Sequence, residues 1–246
     1  MLEQSSGKIN KLIIPIAIIV AGVIIAGAVY FSVKSSAPSV APNNGQGQKA
    51  DQPIVPQQPS SVDISKVKIE GSRFAGNPNA PVVMAYWGDF QCPFCKRLEE
   101  TVVGQILKDY PDKVKIVIKD FQFLGADSQT AGWAARAVWE VDPEKYFEWH
   151  MAMYNKQDGE NSDFGNKEDI VALTKTILGN SKGNKVAELM VSKQAEYQKA
   201  MDEDKAEGQS FGINGTPDSI IGKDLISGAQ PYSAFKQIID LALQGK

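Results

Sequence analysis

Cysteine and histidine are scarce in this sequence, which has two cysteines and one histidine among 246 residues. A closed structural zinc site takes four ligands, typically Cys and His. Such a site would need carboxylates or a second subunit, which makes it the less favoured explanation of the two cysteines. The chain also lacks an excess of positive charge, since its net charge is −3 and its pI is near 5.4. Nothing in the composition indicates a nucleic-acid partner.

Charge is also missing from residues 12–33, an apolar run of 22 residues that follows Lys8 and Lys11 and precedes Lys34. At about 1.5 Å per residue in a helix, this run is long enough to cross a bilayer core of roughly 30 Å. More lysines lie on its N-terminal side, which the positive-inside rule associates with the cytoplasm. We therefore expect a cytoplasmic N-terminus at residues 1–11, a single transmembrane anchor at residues 12–33 and a domain outside the cytoplasm.

A cleaved signal peptide is the alternative to an anchor. Its apolar core would be about 7 to 15 residues long, and cleavage would follow small residues. The candidate sites end at Ala37 and Ala41, and each is followed by proline. The sequence therefore favours an uncleaved anchor.

Residues 34–61 are rich in Pro, Gln, Asn, Ser and Gly and have almost no large apolar side chain. This composition predicts a disordered linker, because too little apolar surface is available for burial. The remaining residues, 62–246, are enough for one domain with a sizeable core.

Hydrophobic periodicity and turn residues divide this domain into strands and helices. Strands are predicted at 67–70 as an edge strand, at 82–87, at 113–119 as a half-buried strand and at 219–226 as a hairpin. Helices are predicted at 96–110, across a block at about 127–207 and at 231–243. The order predicts an α/β fold whose sheet is interrupted by a helical insertion.

Several aromatic side chains follow a helical spacing within the helical block: Trp133, Trp139, Tyr146, Phe147 and Trp149. We expect them to form the core of the insertion rather than a ligand-binding box. His150 continues the same pattern. We expect a structural role for it and no part in catalysis.

The two cysteines are separated by two residues, in Cys92-Pro93-Phe94-Cys95, between the strand at 82–87 and the next helix. Cys92 is expected at the start of this helix, where unpaired N–H groups point toward its sulfur and favour the thiolate. Pro93 suits the first helical turn, since its nitrogen needs no partner there. A purely structural disulfide is the other explanation, but a two-residue loop at a helix start is a strained place for one. The pattern favours a redox-active pair.

Four segments in this order resemble a known family. They are Gly-Asn-Pro-Asn-Ala-Pro at 76–81, Gly-Asp-Phe-Gln-Cys-Pro-Phe-Cys at 88–95, Gly-Ile-Asn-Gly-Thr-Pro at 212–217 and Ile-Ser-Gly-Ala-Gln-Pro-Tyr at 226–232. The chain from about residue 67 onward resembles the DsbA-like thiol:disulfide oxidoreductases of the thioredoxin superfamily, especially the membrane-anchored BdbD-type members. The resemblance implies a thioredoxin-like fold with the helical insertion at about 127–207.

We expect Cys92 to be the exposed nucleophile and Cys95 the buried resolving thiol, because the helix start exposes the first and turns the second inward. The resemblance further implies that the peptide bond between Thr216 and Pro217 is cis and that Pro217 faces the cysteine pair. The backbone of Thr216 would then be offered to the substrate. No metal or cofactor is expected beyond the redox-active disulfide itself.

Three positions depart from the family pattern. Phe94 stands where the best-known members have a histidine that helps to hold the thiolate, and Tyr86 stands where many have a buried glutamate. Asp218 follows the proline in place of the usual threonine, which puts a carboxylate close to the site. Two alternatives are open for Asp218: it takes over the glutamate's part in proton transfer to Cys95, or it faces solvent.

The resemblance implies a monomeric, membrane-tethered thiol oxidase that donates its disulfide to reduced secreted proteins. A quinone-linked membrane partner, DsbB-like or vitamin K epoxide reductase-like (VKOR-like), would reoxidise it. One alternative is a disulfide reductase or isomerase. The other is a non-catalytic thioredoxin-like module that binds peptides or copper at Cys92 and Cys95.

Overall fold

The computed structural model describes residues 60–158 and 164–245. The predicted cytoplasmic segment and transmembrane anchor lie outside these residues, as does the predicted linker except for Ser60–Ser61. For these two residues the prediction of a disordered linker is wrong, because they form a strand that pairs with Asp224 and Leu225. Within the described part of the chain, no helix is long and apolar enough to span a bilayer.

A six-stranded mixed sheet forms the centre of the described domain. Its strands are β1 (Ser60–Ser61), β2 (Arg73–Gly76), β3 (Val82–Gly88), β4 (Val114–Asp120), β5 (Asp218–Ile221) and β6 (Asp224–Ser227). In space they follow the order β1-β6-β5-β3-β4-β2. β3 and β4 are parallel, and the other neighbouring pairs are antiparallel. The predicted C-terminal hairpin is confirmed as β5 and β6.

Helices flank the sheet and form the predicted insertion between β4 and β5. They are α1 (Pro93–Leu98), α2 (Gly104–Asp109), α3 (Ala126–Val141), α4 (Tyr146–Lys156), α5 (Lys167–Leu178), α6 (Asn180–Ser192), α7 (Gln194–Ser210) and α8 (Tyr232–Leu243). A 3₁₀ turn spans Ile64–Lys66, and a π-helical turn, Glu99–Val103, joins α1 to α2. The insertion comprises α3 to α7, which agrees closely with the predicted range of 127–207.

Side chains that alternate along β3 give the sheet two buried faces. Tyr86 points to one face, where it packs with both cysteines and with the aromatic core of the insertion. Trp87 points to the other face and belongs to a separate, smaller cluster. Residues paired across strands share a face. Tyr86 pairs with Ser219 and Trp87 pairs with Asp218, so we call the first side the cysteine face and the second the Trp87 face.

The aromatic core predicted for the insertion is confirmed. Its members are the fully buried Tyr146 and Trp149 and the partly buried Trp133, Trp139 and Phe147. The rings of Trp139 and Tyr146 pack edge to face, with centroids 5.3 Å apart, which is a favoured aromatic geometry. This core packs directly on the cysteine face of the sheet.

The predicted edge strand at 67–70 is wrong, because the strand at that edge is β2, which pairs with β4. Side chains, rather than a neighbouring strand, satisfy the backbone at Lys68. Its N–H donates to Glu207 Oε1 at 2.6 Å, and its carbonyl accepts from Lys119 Nζ at 3.1 Å. Periodicity cannot reveal such partners, since they come from distant parts of the chain.

β4 is buried on both faces, whereas its alternating pattern predicted a half-buried strand. Lys119, on the polar side of the alternation, is 2% exposed. Its Nζ lies 2.5 Å from Asp204 Oδ1 and 2.8 Å from Glu207 Oε2, and both acids belong to α7. α7 therefore covers this side of β4, and paired charges allow a lysine to be buried there.

Candidate active site

β3 ends just before the cysteine motif, and α1 begins within it. Cys92 has extended backbone angles, φ −80° and ψ 118°, and Pro93 is the first residue of the helix. The carbonyl of Cys92 accepts a helical hydrogen bond from the Lys96 N–H at 3.2 Å. The predicted position of Cys92 at the helix start is confirmed. Its sulfur therefore lies at the end of the helix where N–H groups are free.

Asp89 holds the loop between β3 and the cysteines against the start of the insertion. Its carboxylate is fully buried and accepts four hydrogen bonds. Oδ1 accepts from the Gln91 N–H at 2.9 Å and from Ser128 Oγ at 2.5 Å. Oδ2 accepts from the N–H groups of Phe123 at 3.0 Å and Leu124 at 3.3 Å. Asp89 was not among the residues predicted from the sequence, although an aspartate that accepts from the N–H two residues on is typical of a turn.

Gln157, just after α4, holds the same loop through its side-chain amide. Nε2 donates to the carbonyls of Phe90 at 2.6 Å and Cys92 at 3.1 Å. The carbonyl of Gln157 in turn accepts from Lys96 Nζ at 3.1 Å. The insertion thereby fixes the backbone on which the cysteines are mounted. No sequence signal indicates Gln157, because it lies 65 residues from Cys92 and only the fold brings them together.

Both cysteines are present as free thiols. Cys95 is fully buried, as predicted, but Cys92 is only 4% exposed, so the prediction that it is exposed is wrong. The loop at Thr216 and Pro217 covers it. In its protonated form, Cys92 donates from its sulfur to the carbonyl of Thr216 across 3.4 Å. A segment from the far end of the chain thus forms one wall of the site, which the local helix-start pattern could not show.

The two sulfurs differ sharply in acidity. The pKa of Cys92 is lowered to about 6, and the largest cause is a hydrogen bond from the Cys95 side chain. Burial opposes this shift, whereas Thr216 and the N–H groups of Cys95 and Phe94 add to it. Burial, followed by the hydrogen bond and charge of Cys92, raises the pKa of Cys95 well above its ordinary value of 9.0. At neutral pH the first sulfur is a thiolate and the second a thiol. Disulfide exchange requires such a thiolate as its nucleophile.

The Thr216–Pro217 peptide bond is cis, as the resemblance implies. It directly precedes β5, and the pairing of β5 with β3 carries this loop to the end of the sheet where the cysteines lie. The carbonyl of Pro217 accepts from the Gly228 N–H at 2.8 Å, which ties the loop to the end of β6.

Phe94, between the cysteines, is 55% exposed, and Phe123, whose N–H donates to Asp89, is 49% exposed. The Phe94 ring packs against Arg97, whose guanidinium carbon lies 5.0 Å from the ring centroid. Phe94 has no polar side-chain atom to bind the Cys92 sulfur, so only its backbone N–H contributes to the low pKa of that thiol.

Asp218 is 8% exposed, so the alternative in which it faces solvent is wrong. Its Oδ1 accepts from the Gly228 N–H at 3.0 Å. Burial raises the pKa of Asp218 to about 6, opposed by hydrogen bonds from Gly228 and Ser227. By its pairing with Trp87, Asp218 belongs to the face of the sheet opposite the cysteine face. A part in proton transfer stays a prediction, and the observed contacts direct the carboxylate to the turn after β6.

A family model described as Thioredoxin matches residues 68–241, more than half of the chain. The chain belongs to the thioredoxin family. The resemblance inferred from the sequence is thus confirmed. The sheet, with its helical insertion between β4 and β5, is a thioredoxin-like fold.

Named relatives and solved structures within the thioredoxin family connect this fold to disulfide chemistry. Disulfide bond formation protein D of Bacillus subtilis is 26% identical over 196 residues, 77% of this chain and 85% of that protein. The crystal structure of oxidised BdbD from the same organism matches with a TM-score of 0.67 at 23% identity, over 76% of this chain and 99% of that one. The thiol-disulfide exchange protein α-DsbA2 from Wolbachia pipientis matches with a TM-score of 0.61 at 27% identity, over 69% and 86%.

Tyr86 occupies the position where many DsbA-like members of the family carry a buried glutamate. It is fully buried, and its hydroxyl lies 3.4 Å from that of Tyr154 on α4. A Cβ atom on Gly88 would lie 2.8 Å from the Tyr86 hydroxyl, so glycine is needed beside it. Burial, followed by the charge of Cys95, raises the pKa of Tyr86 well above 10.0. Tyr86 is therefore neutral at physiological pH and cannot accept a proton as a carboxylate does.

Proposed function

We propose that this protein is a thiol-disulfide oxidoreductase that introduces disulfides into secreted or membrane proteins. The observation that carries the proposal is the difference in acidity between the cysteines, with a pKa of about 6 at Cys92 beside a buried thiol at Cys95. Membership of the thioredoxin family and the names of the relatives support the same chemistry. Cys92 is the nucleophile and Cys95 is the resolving thiol.

The oxidised protein carries a Cys92–Cys95 disulfide. A client thiolate attacks the Cys92 sulfur, the bond between the cysteines breaks, and Cys95 leaves with the electron pair and takes up a proton. A second client thiolate then attacks the client sulfur of the mixed disulfide. The client's own disulfide forms, and Cys92 leaves as a thiolate. Two electrons have passed to the protein, and the low pKa of Cys92 favours its departure because a more acidic thiol is a better leaving group.

The client-binding surface consists of Thr216, Pro217, Pro93 and Phe94 around the Cys92 sulfur. The carbonyl of Thr216 already approaches this sulfur to 3.4 Å. A client backbone next to the reacting cysteine can therefore pair with Thr216 during exchange. Phe94 adds exposed apolar surface, which suits incompletely folded clients. Pro93 keeps the first turn of α1 free of an N–H that would need a partner.

The redox domain lies outside the cytoplasm, tethered by a membrane-spanning helix at residues 12–33. Disulfides form and persist in such oxidising compartments, whereas cytosolic thiols are kept reduced. The protein works as a monomer and uses no cofactor beyond its own disulfide. A quinone-linked membrane protein, DsbB-like or VKOR-like, takes the two electrons from the reduced pair and restores the disulfide.

Oxidative refolding tests the function directly. The full chain, oxidised beforehand, is expected to restore activity to a reduced client enzyme whose folding needs disulfides, and the Cys92→Ser variant is expected to restore none. Insulin reduction is measured in parallel. Insulin reduction without refolding of the client would indicate a reductase. Rescue of only an already scrambled client would indicate an isomerase. Activity in neither assay would support the non-catalytic alternative that binds peptides or copper.

Protease treatment of intact spheroplasts tests the anchor and its orientation. Because a disordered linker before β1 would be readily cleaved, we expect the redox domain to be released from the membrane and a short membrane-bound stub to remain. An N-terminally trimmed protein, already soluble in the extracytoplasmic fraction before protease is added, would contradict the anchor. A domain that is cut only after lysis would contradict the orientation.

A further inference from the structure

A buried acid and the single histidine of the chain meet beneath the cysteine motif. Glu99 is fully buried and His150 is 1% exposed. Oε1 of Glu99 lies 2.7 Å from Nε2 of His150, which α4 contributes. Among the described residues, Oε2 of Glu99 and Nδ1 of His150 have no hydrogen-bond partner. Buried polar groups with unused capacity are uncommon and call for an explanation.

The position of Glu99 on the helix directs it toward Cys95. Its backbone N–H donates to the carbonyl of Cys95, so the two residues are one turn apart. Residues at this spacing are neighbours on one face, and helical side chains lean toward the N-terminus. Glu99 also begins the π-helical turn Glu99–Val103. Such turns occur frequently at functional sites.

Aromatic side chains surround the Glu99–His150 pair. The His150 ring contacts those of Phe90, Tyr154 and Phe147, with centroids 5.2, 5.1 and 5.8 Å away. Burial is the largest cause that raises the pKa of Tyr154, followed by the charges of Cys95 and Glu99. Burial also raises the pKa of Tyr86, followed by the charges of Cys95, Tyr154 and Glu99. Both tyrosine hydroxyls therefore lie within electrostatic reach of the resolving cysteine and of the acid.

The resolving step creates a need for a proton acceptor. Cys95 must lose its proton before its sulfur can attack, but it is fully buried and its thiol form is favoured. Cys92, the backbone of Asp89 and the loop at Thr216 interact with it, and Tyr86 on β3 and Tyr154 on α4 lie within electrostatic reach of both Cys95 and Glu99. His150, also on α4, pairs with Glu99. Tyr86 and Tyr154 are neutral, and Cys92 is in the mixed disulfide at that moment. The Glu99–His150 pair is left to accept the proton.

We propose that the Glu99–His150 pair accepts the proton of the Cys95 thiol when Cys95 attacks Cys92, and that it returns this proton when Cys95 leaves. The S–H bond of Cys95 breaks, the Cys92–Cys95 bond forms, and the electron pair of the broken mixed disulfide departs on the partner's sulfur. The proton of Cys95 stays on the buried pair, and the negative charge leaves on the partner's sulfur.

This inference rests on the proposed function and identifies where its proton goes. It gives His150 a role beyond the structural one expected from the sequence, and that expectation stays untested. The prediction for Asp218 concerned the same proton of Cys95. The two candidate acceptors lie in different places, since Glu99 follows the helix that carries Cys95 and Asp218 belongs to the opposite face of the sheet.

The test uses the reduced full chain and oxidised glutathione. The first step, formation of the Cys92–glutathione mixed disulfide, and the second, its resolution by Cys95, are separated by acid quenching and mass spectrometry between pH 5 and pH 10. We expect Glu99→Gln to slow resolution about 100-fold or more at pH 7, since general-base effects are typically about 10²- to 10⁴-fold. The difference should shrink toward pH 10, where hydroxide removes the proton directly. The rate of the first step should not change.

Glu100→Gln is the matched control, because it removes the same charge from the next, exposed position and should leave both steps at the parent rates. His150→Gln keeps a hydrogen-bonding side chain beside Glu99 and should also slow resolution at pH 7 with recovery at high pH. If Glu99→Gln does not fold, His150→Gln decides alone. Parent-like resolution at every pH in the folded variants, or a loss that is equal at every pH, overturns the proposal. Failure of the parent chain to form any mixed disulfide would instead contradict the proposed function.

Discussion

Replacing Cys95 with serine is expected to accumulate covalent complexes between this protein and its clients. Cys92 keeps its position at the start of α1 and its contact with Thr216, so it still reacts with client disulfides. Without the Cys95 sulfur, no internal thiol can break the mixed disulfide. The serine hydroxyl can still donate a hydrogen bond to the Cys92 sulfur, and such a bond from residue 95 is the largest cause of the low pKa of Cys92. We therefore expect complexes that form and then persist, measured on non-reducing gels of alkylated extracts.

Cys92→Ser is the matched control, since it makes the same chemical change at the other sulfur. Cys95 is fully buried and favours its thiol form, so it is expected to trap almost no client. Trapping by Cys92→Ser and not by Cys95→Ser would reverse the two roles. Complexes that appear equally with both variants would indicate non-specific oxidation, and the double variant measures that background.

The parts of the fold that the sequence predicted depend on local patterns. The apolar run of β3, the hairpin of β5 and β6, and the helical insertion each have a periodicity or turn signal of their own. The edge strand was misplaced because the backbone near Lys68 is satisfied by Glu207 and Lys119, which approach from other elements. A strand pattern shows what a segment can form, but distant side chains decide whether it does.

The same distinction separates the residues of the site that were found from those that were missed. The cysteines and the Thr216–Pro217 bond belong to recognisable motifs. Gln157, by contrast, has no local signature, and its importance comes from two hydrogen bonds to carbonyls of the cysteine loop. The burial of Cys92 was missed for the same reason, because the loop that covers it, at Thr216, lies 124 residues later in the chain.

The low pKa of Cys92 predicts how the stability of the reduced protein depends on pH. The pKa falls from 9.0 to about 6 on folding, so this thiolate contributes stability that is fully present above about pH 9 and is lost as pH falls through 6. At pH 7, roughly one unit above the folded value, the contribution is about 1.4 kcal/mol. The oxidised protein has no Cys92 thiolate and therefore lacks this contribution to its stability. Denaturant titration of both forms measures this contribution as a difference in the free energy of unfolding. The gain that the reduced form obtains from the thiolate should disappear between pH 7 and pH 5.

The same thiolate fixes the reduction potential and its slope with pH. Oxidation of the pair releases two protons below pH 6 and one above it, and a tenfold change in equilibrium constant is about 30 mV for a two-electron couple. The potential should fall by about 60 mV per pH unit below pH 6 and by about 30 mV per unit above it. DsbA has a cysteine pKa of roughly 3.5 and a reduction potential of roughly −120 mV. The pKa of Cys92 is about 2.5 units higher, which makes this couple less oxidising by about 75 mV and places its potential near −195 mV at pH 7. Equilibration with glutathione buffers, read by thiol alkylation, measures both quantities. A potential at or below the roughly −270 mV of thioredoxin would favour a reductase, and a slope with no break near pH 6 would contradict the acidity of Cys92 on which the proposed function depends.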